Sequence, residues 1–175
     1  MFHYKKISVI GCPGSGKSFL SKKLSEILNI TCYHLDKIYW LPNWNHLSKE
    51  EFDETLDKLL SNDSFIIDGN FNRTLEKRFE KSDLIIFLDL KTRICLKNEK
   101  KRRGKKREDF PDFLEEKVDE EFVFFIKNFN KNNKPRILEL INKYSVNTIT
   151  LKSKKEINKF LKNLKKDVLK WENIY

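Results

Sequence analysis

The chain has 175 residues, 39% of them hydrophobic, which is enough to bury the core of one domain. It contains no run approaching the roughly 20 apolar residues of a membrane span and no C-x-x-C or disulfide pattern among its three cysteines. Because a strand pattern begins close to the first residue, we expect no signal peptide. We therefore expect a single cytoplasmic domain over residues 1–175, a monomer or homodimer with no membrane partner. The net charge of +10 comes mostly from lysines spread along the chain, which is more typical of a solvated surface than of a nucleic-acid interface.

The most specific motif follows the first predicted strand, Ile7–Ile10, and reads G-C-P-G-S-G-K-S at residues 11–18. Apolar residues then recur at helical spacing, so that strand, glycine loop and helix form a P-loop whose N–H groups surround a phosphate. We expect Lys17 to reach the β- and γ-phosphates of ATP and the Ser18 hydroxyl to ligate Mg²⁺. The predicted nucleotide-binding residues are Gly11, Pro13, Gly14, Ser15, Gly16, Lys17, Ser18, Phe19 and, later in the chain, Arg103.

Strand and helix patterns alternate along the rest of the chain. The apolar runs that predict buried strands are Ile7–Ile10, Ile30–Leu35, Phe65–Ile67, Leu84–Leu88 and Val146–Leu151. Helices are predicted after the capping box Ser48–Glu51, from Leu114 to Phe129, from Ile137 to Tyr144 and from Ile157 to Val168. This alternation indicates a three-layer α/β fold, a five-stranded parallel sheet flanked by helices, in which ligands bind beyond the carboxyl ends of the strands.

Three carboxylates follow predicted strands and are expected to converge on the site. Asp36 follows the second strand, where it is a general base if the acceptor is a hydroxyl, a positioning group if it is a phosphate, or only a cap of the next turn. Asp68 and Asp89 compete for the role of orienting Mg²⁺. We favour Asp68, acting through water, because Gly69 leaves backbone room near the phosphates, and we expect Asp89 to cap the helix that starts near Thr92.

The segment after the second strand is rich in aromatic residues and lies where an acceptor would bind. Trp40 or Trp44 would stack on a planar ring, with a place in the core as the commoner role for such residues. Arg73 has the planar fork that holds an anionic acceptor, and a surface ion pair with Glu76 is its alternative. The predicted acceptor-binding residues are Asp36, Trp40, Trp44, Asn70 and Arg73.

A dense basic run covers residues 97–107 and follows the fourth strand by one helix. We expect its arginines to close over the triphosphate and neutralise charge that develops during transfer. Gly104 is a candidate hinge, and Arg136 is a further candidate cation from the opposite side. The predicted catalytic residues are Lys17, Asp36, Arg73, Arg102, Arg103 and Arg107.

Together these motifs resemble the adenylate-kinase-like group of P-loop kinases. More closely, H-L-D-x-x-x-W-x-P-x-W at 34–44, I-I-D-G-N-F-x-R-T at 66–74 and I-F-L-D at 86–89 resemble the bacterial DNA topology modulation (FlaR-related) proteins over nearly the whole chain. The resemblance implies a nucleotide-kinase fold with a helical acceptor-binding insertion near 38–62, a short lid near 103–113, and ATP with Mg²⁺ as donor. Adenylate kinases carry D-G-F-P-R after the third strand, where this chain has D-G-N-F-N-R, and the difference argues against AMP as acceptor.

The leading interpretation is a kinase that transfers the γ-phosphoryl group of Mg·ATP to a nucleotide, nucleoside or other small acceptor. The alternative is an ATP-binding protein that acts on or with DNA and has weak ATPase activity, although no helix-turn-helix, zinc-finger or aromatic–basic pattern supports it. A GTPase is disfavoured because the chain has no D-x-x-G or N-K-x-D sequence. A motor ATPase is disfavoured because 175 residues leave no room for an additional small domain.

Overall fold

A parallel sheet organises the computed structural model, which describes residues 2–111 and 119–172, the last two as backbone only. Its strands are β1 (Lys6–Gly11), β2 (Cys32–His34), β3 (Phe65–Asp68), β4 (Leu84–Leu88) and β5 (Asn147–Leu151). They lie in the order β2-β3-β1-β4-β5, with every pair parallel. The three central strands are buried almost throughout, as expected when helices cover both faces of a sheet. The predicted five-stranded parallel sheet flanked by helices is confirmed.

Helices occupy most of the chain between the strands. They are α1 (Lys17–Leu28), α2 (Leu35–Tyr39), α3 (Lys49–Leu60), α4 (Leu75–Lys81), α5 (Thr92–Arg102), α6 (Glu120–Asn132), α7 (Lys134–Tyr144) and α8 (Lys154–Glu172), with short 3-10 turns at Pro42–Trp44 and Asn72–Thr74. In the described part of the chain, none of these helices is both long and apolar enough to cross a membrane.

Two helix starts show how local sequence sets the boundaries. The predicted capping box is confirmed, because the Glu51 N–H donates to the Ser48 hydroxyl at 3.1 Å and the Ser48 N–H donates to the Glu51 carboxylate at 2.9 Å. Helix α6 begins at Glu120, after Asp119 accepts a hydrogen bond from the Phe122 N–H. The predicted helix from Leu114 therefore starts in a segment, residues 112–118, that lies outside the described residues.

The second strand is shorter than the sequence predicts. The apolar run Ile30–Leu35 contributes only the three half-buried residues of β2, and Leu35 already begins α2. As the edge strand of this sheet, β2 pairs with β3 alone, so its other side lacks a ladder to extend it. Because β2 ends at His34, Asp36 lies in the first turn of α2, immediately after the carboxyl end of that strand.

Strand register places the functional motifs together. His34 and Val9 both lie opposite Asp68, and Gly11 lies opposite Leu88. The carboxyl ends of the first four strands in the chain thus meet at the edge where the P-loop leaves β1.

The chain packs two hydrophobic clusters against the sheet. The larger one joins the central strands to α1, α4, α6, α7 and α8. The smaller one joins α2 and α3 to β3 through Leu35, Phe52, Leu56, Leu60, Phe65 and Ile67. This second cluster packs residues 38–62 against the β3 side of the sheet.

Candidate active site

The loop between β1 and α1 has the backbone of a phosphate cradle. Gly14 and Gly16 have φ values of 78° and 97°, in the left-handed region that favours glycine. A Cβ at residue 14 would lie 2.3 Å from the carbonyl oxygen of Cys95, so α5 packs directly on the loop. The side-chain amide of Asn98 on the same helix donates to the Gly14 carbonyl at 2.8 Å. The loop is therefore held from the side by α5.

Lys17 lies folded into this loop. Its ammonium donates to the carbonyls of Gly11 at 3.0 Å and Cys12 at 3.3 Å, and only 9% of the residue is exposed. Burial lowers the pKa of Lys17, while the carboxylates of Asp36 and Asp68 oppose that change. A cation with so little solvent contact is placed to neutralise an anion that enters the loop.

Cys12 is a packing residue of the loop. Its buried thiol donates to the carbonyl of Ile126 at 3.8 Å, and interaction with the buried thiol of Cys95 together with burial raises the pKa of Cys12. Since the thiolate is the reactive form, the structure gives Cys12 the character of a small apolar filler.

A cleft of about 1050 Å³ opens beside the loop and collects most of the predicted site residues. Those that line it are Pro13, Gly14, Gly16, Lys17, Ser18, Phe19, Asp36, Trp40, Trp44, Asn70, Arg102, Arg103 and Arg107. Those that do not line it are Gly11, Ser15, Asp68 and Arg73. One cavity therefore contains, among the predicted residues, the phosphate loop, three arginines, a carboxylate and two tryptophans.

Asp36 is the predicted carboxylate that lines this cleft. It is half-buried in the first turn of α2, and none of the described residues donates a hydrogen bond to it. Burial raises the pKa of Asp36, and the positive charge of Lys17 opposes the rise. Such a group is available to a ligand and has increased proton affinity, which suits a base.

Asp68 has a partner that the sequence did not indicate. Its Oδ2 lies 2.7 Å from Nδ1 of His34, and only 2% of Asp68 is exposed. Burial alone would lower the pKa of His34, but hydrogen bonds to Asp68 and Cys32 raise it to about 10. At neutral pH the histidine is therefore charged and neutralises Asp68 behind the cleft. The assignment of Asp68 as a water-mediated Mg²⁺ ligand stays a prediction.

Asp89 is held elsewhere. Both oxygens of its carboxylate accept from Nζ of Lys134, at 2.9 and 2.7 Å, and it does not line the cleft. The N-cap of α5 is Lys91, so the expectation that Asp89 caps this helix is wrong. The ion pair with the start of α7 draws the carboxylate to that helix instead.

The structure does not bring Arg73 to the cleft as the predicted acceptor clamp. Its guanidinium pairs with Asp53 on α3 at the surface. Its predicted alternative partner, Glu76, binds Arg136 at 3.0 Å and also Lys143. Arg136 also pairs with Glu139, and it too is absent from the cleft lining. Both arginines are paired with acidic residues that are distant in sequence, Asp53 and Glu76, and Arg136 is also paired with Glu139, one turn away on α7.

Arg78 is a site-supporting residue that sequence reasoning missed. It is fully buried and donates to the carbonyls of Gly69 at 3.0 Å and Phe71 at 3.4 Å, which flank Asn70. Burial lowers the pKa of Arg78 to about 10, and the charges of Asp68 and Asp36 oppose the change. One signal in the sequence could have indicated its burial: on α4, Arg78 follows Leu75 by three residues and directly precedes Phe79, and both of these apolar residues are buried.

The segment after α5 lies across the P-loop. Arg107 donates to Asp109 at 3.1 and 2.8 Å, and the Ser18 hydroxyl also favours the charged form of Asp109. Glu108 pairs with Lys22 of α1, and the ring of Phe110 packs 5.8 Å from Trp44. Burial opposes ionisation of Asp109, but these hydrogen bonds hold its pKa well below its usual range. The sequence analysis did not name Asp109 as a site residue. The predicted lid covers residues 103–113, of which the structure describes 103–111.

The other two arginines of the basic run lie at the end of α5. Arg103 binds the carboxylate of Glu99 with Nη2 at 2.8 and 2.9 Å, and Arg102 lies 5.7 Å from the ring centre of Phe122. Both line the cleft, as predicted, at the end of the helix that supports the P-loop.

The residues present fit Mg²⁺ and a nucleotide. Mg²⁺ prefers oxygen ligands, and the cleft offers the hydroxyl of Ser18 with the carboxylates of Asp36 and Asp109. The glycine loop offers backbone N–H groups at the N-terminus of α1, which suits phosphate.

Comparison with known proteins agrees with this fold. A family model described as AAA domain matches residues 7–123, whereas no curated protein matches the sequence. The fold is similar to shikimate kinase from Bacteroides thetaiotaomicron, with a TM-score of 0.58 and 15% identity over 94% of this chain and 98% of that one. It is also similar to deoxyadenosine kinase from M. mycoides with bound dATP (TM-score 0.54, 15% identity, 95% and 98% covered) and to a gluconokinase from Sinorhizobium meliloti 1021 (0.54, 14%, 98% and 95%). At such identities the likeness establishes a shared fold.

Proposed function

The chain belongs to the AAA domain family, and from that premise we propose that it is a P-loop kinase transferring the γ-phosphoryl group of Mg·ATP to a small acceptor. One observation carries the proposal. The cleft that holds Lys17 and Ser18 of the P-loop also holds Asp36, a carboxylate to which no described residue donates a hydrogen bond. A donor site and a group able to receive a proton therefore face the same space.

On the donor side, catalysis is mainly positioning and charge neutralisation. The loop N–H groups and Lys17 hold the β- and γ-phosphates, and Arg102, Arg103 and Arg107 neutralise charge that develops on the transferred group. When bound, Mg²⁺ would be held by Ser18, with Asp109 beside it and Asp68 acting through water, and it would polarise the phosphoryl oxygens.

On the acceptor side, Asp36 takes the proton of the attacking hydroxyl. The hydroxyl oxygen forms the new bond to the γ-phosphorus, the bond from that phosphorus to the β–γ bridging oxygen breaks, and ADP leaves. Residues 38–62 form the acceptor-binding part of a single domain, and residues 103–111, the described part of the predicted lid, close over the donor site. Gly104, with φ of 68° and open space around it, is the hinge of that lid.

Three variants separate these roles. Lys17→Ala lowers transfer by at least about a hundredfold, the scale for loss of one preorganised charge contact, and also weakens Mg·ATP binding. Asp36→Asn lowers turnover by about a hundredfold or more while Mg·ATP binding, measured by calorimetry, stays within about twofold of the wild type. Lys23→Ala, on the same helix and paired with Glu26 outside the cleft, is the matched control. Near-normal turnover in Lys17→Ala contradicts the proposal.

A further inference from the structure

Charge is already balanced among the described residues that line the cleft. The basic ones are Lys17, Arg102, Arg103 and Arg107. The acidic ones are Asp36, Glu99, Asp109 and Asp119. Mg·ATP adds net negative charge, and a monophosphate acceptor would add about two further negative charges at neutral pH. The described lining has no surplus of positive charge to compensate a second phosphate.

Three of the four cations lie on the donor side, and the fourth, Arg107, is already paired with Asp109. Lys17 lies in the P-loop, and Arg102 and Arg103 end the helix that packs on Gly14. On the acceptor side, Arg73 is paired with Asp53 outside the cleft, and Arg78 is buried against backbone carbonyls. An acceptor phosphate beside Asp36 would meet a like charge there.

The acceptor side offers side-chain oxygens of Asn70 and Asp36 to a ligand that can donate hydrogen bonds. The Oδ1 atom of Asn70 is buried, and no described residue donates to it. The carboxylate of Asp36 is half-buried, lines the cleft and accepts no hydrogen bond from a described residue. A buried acceptor without a partner is costly, and a ligand that offers O–H or N–H groups would remove that cost. Phosphate and carboxylate groups, ionised at neutral pH, offer none.

Aromatic rings form the rest of this side. Trp44 is 48% exposed although it is a large apolar residue, and it lies in the cleft 5.7 Å from Trp40, with Phe71 and Phe110 also in the lining. Asn43 and Trp44 have φ values of 60° and 59°, two successive non-glycine residues in the left-handed region. Bulky residues rarely adopt this conformation, and such strain concentrates where ligands bind. The turn therefore presents an indole as a stacking surface for a planar ring.

From these features we infer that the acceptor is an uncharged, hydroxyl-bearing molecule with a planar aromatic ring, of the nucleoside class, and not a nucleoside monophosphate. Its ring stacks on Trp44, its N–H or O–H groups donate to Asn70, and the reacting hydroxyl donates to Asp36. The same charge argument disfavours acidic sugars and other carboxylates. The inference rests on the proposed kinase function and narrows it.

Binding tests the inference without turnover. The chain has three tryptophans, so in a Trp171→Phe variant the tryptophan fluorescence comes from Trp40 and Trp44 alone. With a non-hydrolysable ATP analogue and Mg²⁺ filling the donor site, this variant is titrated with adenosine, guanosine, cytidine, thymidine and the matched monophosphates. We expect at least one nucleoside to quench the emission with a Kd at least about tenfold below that of its monophosphate, and Trp44→Ala to weaken that binding by about tenfold. Tighter binding of the monophosphates, or no binding of any nucleoside, overturns the inference.

Transfer to the same pairs separates the inference from the proposed function. A kcat/KM for a nucleoside at least about tenfold above that for its monophosphate supports both. Preferential phosphorylation of monophosphates, polyols or acidic sugars overturns the inference and leaves the kinase standing. No transfer to any of these compounds overturns both. An Asn70→Arg variant adds the missing cation, and we expect it to raise the monophosphate-to-nucleoside ratio of kcat/KM by at least about tenfold.

Discussion

The buried guanidinium of Arg78 donates to the carbonyl oxygen of Gly69 at 3.0 Å, and a second nitrogen of the same group donates to Phe71 at 3.4 Å. These two carbonyls flank Asn70, which lines the acceptor side of the cleft. An arginine on α4 thus fixes the backbone that presents a binding residue, although it does not reach the cleft itself.

Replacing Arg78 by Met is expected to destabilise the protein by about 2–5 kcal/mol, because it strands the buried carbonyls that the guanidinium satisfies. Urea unfolding measures this loss. Arg93→Met, at an exposed position of α5, is the control and should change stability by less than about 0.5 kcal/mol. Equal stability of the two variants would show that Arg78 does not support this loop.

Alanine at Gly14 is expected to be more damaging to the apo protein than alanine at Gly16. Both positions have positive φ, so both variants carry backbone strain, but only the Cβ at 14 meets an atom, the Cys95 carbonyl oxygen at 2.3 Å. Relieving that overlap moves α5 or the loop and costs a further 1–3 kcal/mol or so. Thermal unfolding without nucleotide should place Gly14→Ala below Gly16→Ala, and the reverse order would mean that α5 does not pack on the loop.

The contribution of the His34–Asp68 pair to the free energy of unfolding should decrease as pH rises. The pKa of His34 rises from its ordinary value of 6.5 to about 10 in the folded protein, so the stabilisation is complete below 6.5 and is lost as pH rises through 10. Urea unfolding of the wild type and His34→Gln between pH 6 and 10 should give a stability difference that shrinks toward the upper end. Proton NMR of the ring, assigned with the same variant, should show imidazolium at pH 8. Titration of the His34 ring near 6.5 would contradict this account.

The parts of the site that the sequence predicts are those set by neighbouring residues. The P-loop, the capping box at Ser48 and the position of Asp36 after β2 depend on short spacings, and the structure shows each of them. The missed features are pairs between distant residues. Asp53 takes Arg73 away from the cleft, and Lys134 holds Asp89 although 45 positions separate them. Such pairs depend on how helices pack on the sheet, which no local pattern encodes.

Kinase activity is best measured as ADP formation from Mg·ATP, alone and with each of a panel of nucleosides, monophosphates and small hydroxylated metabolites, with the products identified by mass spectrometry. We expect slow ADP formation alone, stimulation of at least about tenfold by an uncharged nucleoside with an equal amount of phosphorylated product, and loss of about a hundredfold in Lys17→Ala. If no small molecule changes ADP formation, or if only duplex DNA raises it, the protein is not a small-molecule kinase.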